Sequence, residues 1–282
     1  MIRPIWHELI KMVHQKKNFI PLAGYILFIL LCYTACVTSR HVVIRIFVNF
    51  GMTSAEAGRY LDGLFFARLV LLPTFLVLMP IVMAALGGDC VAGEMQDGSL
   101  KLYLARPRSR TGIILRKFIA IYLAGFIYSV IFACGGIAAG IWLFDLAPVQ
   151  LVLLPDRLFG STIVVMSNGE SLISYVCASL YFSFSLMTLG AMSLWFSTIF
   201  NRMSSAVVAV VTLYFVSYVV GSMPLATAIK PWLISEIMNN AFVFYLDPIP
   251  WGRLIVNLAS LALYISCFLL AAVINFNYKD IR

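Results

Sequence analysis

Side chains able to carry charge, hold a phosphate or attack a bond are scarce in this sequence, and their densest group falls in one stretch. From Gly87 to Lys117 the chain reads GGDCVAGEMQDGSLKLYLARPRSRTGIILRK. It holds six of the 20 Lys and Arg residues (Lys101, Arg106, Arg108, Arg110, Arg116 and Lys117), and Asp89, Glu94 and Asp97 stand in its first third. Glu94 and Asp97 are three residues apart, a spacing that on a helix presents paired carboxylates to a basic partner. Gly98 can take the left-handed backbone that ends a helix at little cost. Pro107 lacks an N–H and disfavours helix at Arg106, and Ser109 suits the N-cap of the helix that follows. The stretch therefore reads as a bent, charged elbow of short helices, suited to meeting a partner.

What must position this elbow is a membrane protein. Apolar residues make up 62% of the chain and charged ones 11%, with a mean hydropathy of +0.97. Soluble domains sit near 45–50% apolar and about 25% charged. Six stretches contain no Asp, Glu, Lys, Arg or His: Phe19–Ser39, Leu69–Gly88, Phe118–Phe144, Ser171–Phe200, Met203–Ile229 and Leu254–Tyr278. Each reaches the roughly 20 residues an apolar helix needs to cross the bilayer. The expected fold class is an all-α membrane protein with six transmembrane helices. The first apolar run is longer than the 7–15 residues of a cleaved signal, and is read as a retained span.

Orientation follows from the bias of Lys and Arg towards the cytoplasm. With both termini inside, segments 1–18, 89–117, 201–202 and 279–282 hold 13 of the 20 basic residues and carry a net charge of +8, while the outside segments balance to zero. Part of this excess can simply hold anionic lipid head groups. The same charge map bears on chemistry. There is no GxxxxGK[ST] phosphate loop and no HExxH, and His7, His14 and His41 all lie outside the apolar stretches. That disfavours nucleotide hydrolysis in this chain and haem or copper chemistry in the membrane. No acid or base sits in mid-span, which disfavours ion-coupled carriers. Cys32, Cys36, Cys90, Cys134, Cys177 and Cys267 form no CxxC pair and point to neither a metal site nor a disulfide framework. An alternative function class is a polytopic enzyme acting on lipid, with Asp62, Asp145, Asp156, Glu170 and Asp247 as candidate outer acids.

Smaller features refine the layout. In residues 2–17, Ile2, Ile5, Trp6, Leu9, Ile10 and Val13 recur at helical spacing, with Glu8 among the polar positions, which predicts an N-terminal amphipathic helix in the membrane interface. Thr53 and Glu56 read as a capping box. Pro73 and Pro80 predict bends or lost backbone bonds in the second span. Gly136 and Gly140 form a GxxxG pattern, compatible with a dimer seam or with packing inside the chain. The many hydroxyls of span four either line a path or bond neighbouring helices. Asn201-Arg202 leaves almost no loop, so spans four and five form a hairpin. Pro231–Leu246 is too short to cross and is amphipathic, so a short outer-face helix is expected that lies on the membrane or dips into it.

The elbow sequence GEMQDGSLKLYLARPRSRTGIILRKF resembles the first cytoplasmic loop of type-2 ABC exporter permeases. The matching residues are Gly93, Glu94, Gly98, Ser99, Leu100, Arg106, Pro107, Ser109, Arg110 and Lys117. Phe196-Ser-Thr-Ile-Phe-Asn-Arg-Met-Ser-Ser-Ala206 is similar to the family's tight turn between spans four and five, and Asn277-Tyr-Lys-Asp-Ile281 to its charged tail. The resemblance implies a single permease domain over 1–282, with an interfacial helix at 1–18 and a coupling elbow at 87–117. It implies transport driven by cytoplasmic ABC ATPase subunits, which would bind the ATP and Mg, so that no cofactor is expected in this chain and the chain itself is not an enzyme. Gly93, Glu94, Asp97, Gly98, Arg106 and Arg110 are the expected ATPase-coupling residues. A second permease copy or a paralogue is expected to complete the pore, the lipid bilayer is the remaining partner, and no nucleic acid is involved. The setting is a plasma membrane, taken as a bacterial inner membrane. Reporter fusions after residues 110 and 160 should give cytoplasmic and external signals respectively, and the reverse result would refute the orientation.

Overall fold

The computed structural model describes residues 8–10, 19–49, 62–100, 109–144, 149–153, 163–223 and 228–279. In chain order these form α1 (Ile20–Thr38), α2 (Arg40–Asn49), α3 (Gly63–Gln96), α4 (Arg110–Leu143), β1 (Val149–Leu153), β2 (Ile163–Ser167), α5 (Asn168–Ile199), α6 (Met203–Ser222), α7 (Ile234–Asn239) and α8 (Trp251–Tyr278). Six of them, α1, α3, α4, α5, α6 and α8, are long and apolar enough to cross a membrane. Each coincides with one of the uncharged stretches. The chain is an all-α polytopic membrane protein.

One addition was not anticipated from the sequence. Strands β1 and β2 pair antiparallel, with Val149 opposite Ser167 and Leu153 opposite Ile163. Their β-branched content favours a pleated ribbon. The ribbon is tied to the start of α3 by a buried polar network. Gln150 Nε2 donates to Asp62 Oδ2 and, at 2.9 Å, to Asn168 Oδ1, while Arg68 reaches Gln150 Oε1 at 3.1 Å and Ser171 Oγ at 2.6 Å. Asp62 also caps α3 by accepting the Phe65 N–H at 2.9 Å. A reciprocal capping box joins Ser167 and Glu170 at the start of α5. The capping box expected at Thr53 and Glu56 lies outside the described residues.

Helices α3 and α5 are the most buried of the spans, and α1, α6 and α8 pack around them with much of their apolar surface exposed. In α3 the two prolines act through the backbone, as expected. A widened π turn covers Thr74–Leu78, directly after Pro73. In an α-helix the Leu76 carbonyl would pair with an N–H at position 80, which Pro80 lacks. The Tyr214 hydroxyl, from α6, donates to that carbonyl at 2.8 Å. The span-four hydroxyls resolve towards the bonding role. Ser193 donates to Ala84 O at 2.8 Å and Ser197 to Gly88 O at 2.9 Å, whereas Ser179, Ser183 and Ser185 bond carbonyls of their own helix. Gly87 allows this approach, because a Cβ there would meet Ser193 Oγ at 2.5 Å. The GxxxG pattern packs within the chain: Gly140 lies against the Gly63 backbone and Gly136 beneath the Tyr175 hydroxyl.

The segment between α6 and α8 enters the bundle and returns to the same face. A short turn at Lys230–Trp232 leads into α7, and a 3-10 stretch at Asn240–Tyr245 leads out. The Tyr181 hydroxyl donates to Ile237 O at 2.8 Å. Tyr181 lies 13 residues into α5, about 20 Å along that helix. The segment therefore dips rather than lies flat, and part of its polar side, Ser235 and Asn240, is buried as well. Ser235 is fully buried and bonds Ser217 at 3.0 Å. The expected N-terminal amphipathic helix is described only over residues 8–10, which are helical, and its remainder lies outside the described residues. Because Tyr214 replaces a bond that Pro80 removes, Tyr214→Phe should cost about 0.6–2 kcal/mol, and less in a Pro80→Ala background. Unfolding midpoints of the protein and its three variants in detergent would test this, and equal costs in both backgrounds would exclude the assignment.

Candidate functional site

The elbow grows directly from α3. After Gly88 the helix widens into a second π turn, Asp89–Gly93, and recovers one α turn at Glu94–Gln96. At Gly93 a Cβ would meet the Asp89 carboxylate, which would have to swing aside. Asp97 and Gly98 then turn the chain, with the Asp97 N–H on Gly93 O at 3.0 Å and the Gly98 N–H on Met95 O at 3.1 Å. Gly98 has φ of +72°, the left-handed conformation that a side chain disfavours. Gln96, Asp97, Gly98 and Ser99 are exposed and form the tip, and Leu100 buries itself behind them.

Beneath the tip lies an ammonium group taken out of solvent. Lys117, 1% exposed and two turns into α4, has Nζ 2.8 Å from Glu94 Oε2, 2.7 Å from the Cys90 carbonyl and 3.9 Å from Glu8 Oε2. Three elements thus meet on one side chain: the N-terminal helical fragment, the end of α3 and the start of α4. A buried cation needs such partners, because desolvation alone costs several kcal/mol. The second π turn is held from its other side by α5, where Ser197 Oγ accepts the N–H groups of Val91 at 3.1 Å and Ala92 at 2.8 Å. The backbone of the widened turn is thereby supplied with partners.

Two further cations fasten the same face. Arg110 Nη1 donates to the carbonyls of Phe276 at 3.1 Å, Asn277 at 3.0 Å and Lys279 at 3.0 Å, at the end of α8. Lys279 Nζ donates to Thr198 O at 2.7 Å and Ile199 O at 3.3 Å, at the end of α5. Positive charge at a helix C-terminus meets both the free carbonyls and the negative end of the helix dipole.

The coupling residues expected from sequence are therefore divided. Asp97 and Gly98 stand at the exposed tip. Gly93 and Glu94 are buried, and Glu94 faces Lys117, so Glu94 and Asp97 do not form a pair of exposed acceptors. The reason is tertiary: Lys117 of α4 draws Glu94 inward, while Asp97, the C-cap at φ −83° and ψ −3°, stays exposed. Arg110, half-exposed, caps the end of α8, and Arg106 lies outside the described residues. Ser109 takes the N-cap position of α4, but its hydroxyl makes no capping bond. Glu8, expected on a polar face, is 9% exposed beside Lys117. The roles of Lys117 and Glu8 are absent from the sequence reading, which sees only a lysine at the border of an apolar run. Of the dispersed acids, Asp62 and Glu170 cap helices and Asp247 lies in an exposed turn, while Asp145 and Asp156 lie outside the described residues. Among the described residues no group of three or more His, Cys, Asp or Glu is arranged to hold a metal ion.

Removing one partner of a buried pair leaves the other charge uncompensated. Lys117→Met should destabilise the protein by about 3–5 kcal/mol, and the double variant Lys117→Met, Glu94→Leu should recover part of the loss. Denaturation in detergent micelles reads both effects, and strictly additive losses would show that the pair is not coupled.

Residues 5–260 match the family model described as ABC-2 family transporter protein. No curated protein matches the sequence significantly. The match covers nearly all of the 282 residues, from the helix that carries Glu8 through the elbow and into the last span, and the chain belongs to the ABC-2 transporter family.

Proposed function

We propose that this permease of the ABC-2 family is the membrane subunit of an ATP-driven exporter, and that a separate cytoplasmic ABC ATPase docks on the tip formed by Gln96, Asp97, Gly98 and Ser99. The observation that carries the reading is the pairing of an exposed tip with a buried ion pair directly beneath it. A displacement applied at a tip on a flexible loop would be lost in the loop. Here Glu94, three residues before Asp97, is locked to Lys117 of α4, and Ser197 of α5 grips the turn between. Motion of the tip is then delivered to α3, α4 and α5 together.

The orientation that goes with this role places the elbow and both chain ends in the cytoplasm of a bacterial cell, facing the inner leaflet of the plasma membrane. ATP and Mg are bound by the ATPase and not by this chain. Six spans make half of a pathway, so a second copy or a paralogue completes the pore, with the exposed apolar faces of α6 as part of the available surface. Nucleotide-driven closure of the two ATPases pushes on the elbows and rocks the helices between inward- and outward-open arrangements. Such a shift requires the ATPases to bind the two arrangements with different free energies.

Site-specific crosslinking tests the docking. With Cys90 replaced by alanine, single cysteines at positions 97 and 99 should crosslink to the co-purified ABC ATPase, and the yield should change with nucleotide. A cysteine at the buried position 94 should not crosslink. An intact complex in which no tip position crosslinks, or the absence of any co-purifying ATPase, would overturn the proposal.

A further inference from the structure

On the elbow side four helices are joined end to end by four side chains, and the links close into a ring. The end of α3 is held to α5 by Ser197, whose Oγ accepts the N–H groups of Val91 and Ala92. The end of α5 is held to the end of α8 by Lys279, with Nζ on Thr198 O at 2.7 Å and Ile199 O at 3.3 Å. The end of α8 is held to the start of α4 by Arg110, whose Nη1 donates to Phe276 O at 3.1 Å and to Asn277 O and Lys279 O at 3.0 Å. Lys117, further along α4, returns to α3 through Glu94 Oε2 at 2.8 Å and Cys90 O at 2.7 Å. Each link joins a different pair of helices.

Plain helix capping would not require this arrangement. Lys279 occupies the C-cap position of α8, from which a lysine ordinarily serves the carbonyls of its own helix. It serves α5 instead, and the carbonyls of α8 are served by Arg110, 166 to 169 residues away in the chain. For α5 a nearby cation is present in Arg202, just past the C-cap Phe200, and Arg202 is exposed. The local cations are thus passed over, and each helix end is closed from another helix. Lys279 carries two of the links at once, because its carbonyl accepts from Arg110 while its ammonium donates to α5. Caps exchanged in this way tie α4, α5 and α8 together, which local caps do not.

We infer that Arg110 and Lys279 are positioning residues for coupling, which bring α8 into the movement that the elbow imparts to α3, α4 and α5. This role rests on the docking proposed above and adds a fourth helix to it. Coupling between distant sites is carried by packed helices and by side-chain links between them. In the closed ring a displacement of α3 reaches the end of α8 from two directions, through α5 and through α4. Cutting either cationic link leaves the end of α8 attached on one side only.

Amide hydrogen exchange of the full chain in detergent tests the ring. Lys279 bonds neither Val91 nor Ala92, so a simple cap would leave their exchange unchanged. In a ring, Lys279→Met should speed it about fivefold through the end of α5 that carries Ser197, and Lys279→Arg should restore it. If Lys279→Met fails to fold, Arg110→Met cuts the ring at the next link and is read in the same way. The coupling role is read in the complex with the co-purified ABC ATPase, with a fluorescent label on the native, exposed Cys267 of α8 and the other cysteines replaced by alanine. Nucleotide should change the emission of the label. Lys279→Met or Arg110→Met should reduce that change about fivefold or more, while a cysteine at position 97 crosslinks to the ATPase as before. Unchanged exchange at Val91 and Ala92, or a full response at Cys267 in either methionine variant with crosslinking intact, would overturn the inference and leave the docking standing. Absence of tip crosslinking in the complex without these substitutions would overturn the docking itself, and the coupling role with it.

Discussion

Hydrocarbon offers no partner to a backbone N–H or C=O, and this constraint governs every irregular part of the molecule. A straight α-helix satisfies it automatically. This chain departs from straight helix at several membrane-level places, and other parts of the protein supply the partners. At the Pro80 gap it is the Tyr214 hydroxyl. At the Asp89–Gly93 turn it is the Ser197 hydroxyl from one side and the Lys117 ammonium from the other. At the dipping segment it is Tyr181 and Ser217. Each departure lies against α5 or α6, and the burial of α5 follows from that duty. Of its serines, Ser197 meets the irregular backbone of the second π turn, Ser193 bonds Ala84 O of α3, and Ser179, Ser183 and Ser185 bond carbonyls of α5 itself.

The two faces of the bundle use charge differently. On the elbow face, cations fasten helix ends to one another: Arg110 to α8, Lys279 to α5 and Lys117 to α3. These contacts tie together segments far apart in sequence on the face that carries the tip. On the opposite face the charges and amides gather around a ribbon, a dipping segment and a cavity. Stiffness at the elbow face suits the receipt of force.

Much was determined by the sequence alone, because membrane insertion is a local property. A run of about 20 uncharged apolar residues has one low-energy outcome in a bilayer, and six such runs are visible without any structure. The turn at Gly98, the effect of prolines on α3 and the short segment at 231–246 follow from equally local rules. What only the tertiary structure decided concerns which side chains face each other. Lys117 stands at the edge of an apolar run, where a lysine ordinarily snorkels to the interface. It is buried instead, because Glu94 and Glu8 converge on it from 23 and 109 residues away in the chain. Glu94 for the same reason points inward, although its spacing from Asp97 had suggested a shared exposed face. The Ser167–Glu170 capping box, which the sequence reading did not single out, lies beside a ribbon that only strand pairing reveals. Periodicity and hydropathy are summed along one helix, whereas the pairing of buried polar groups depends on the packing of several, and that information exists only in three dimensions.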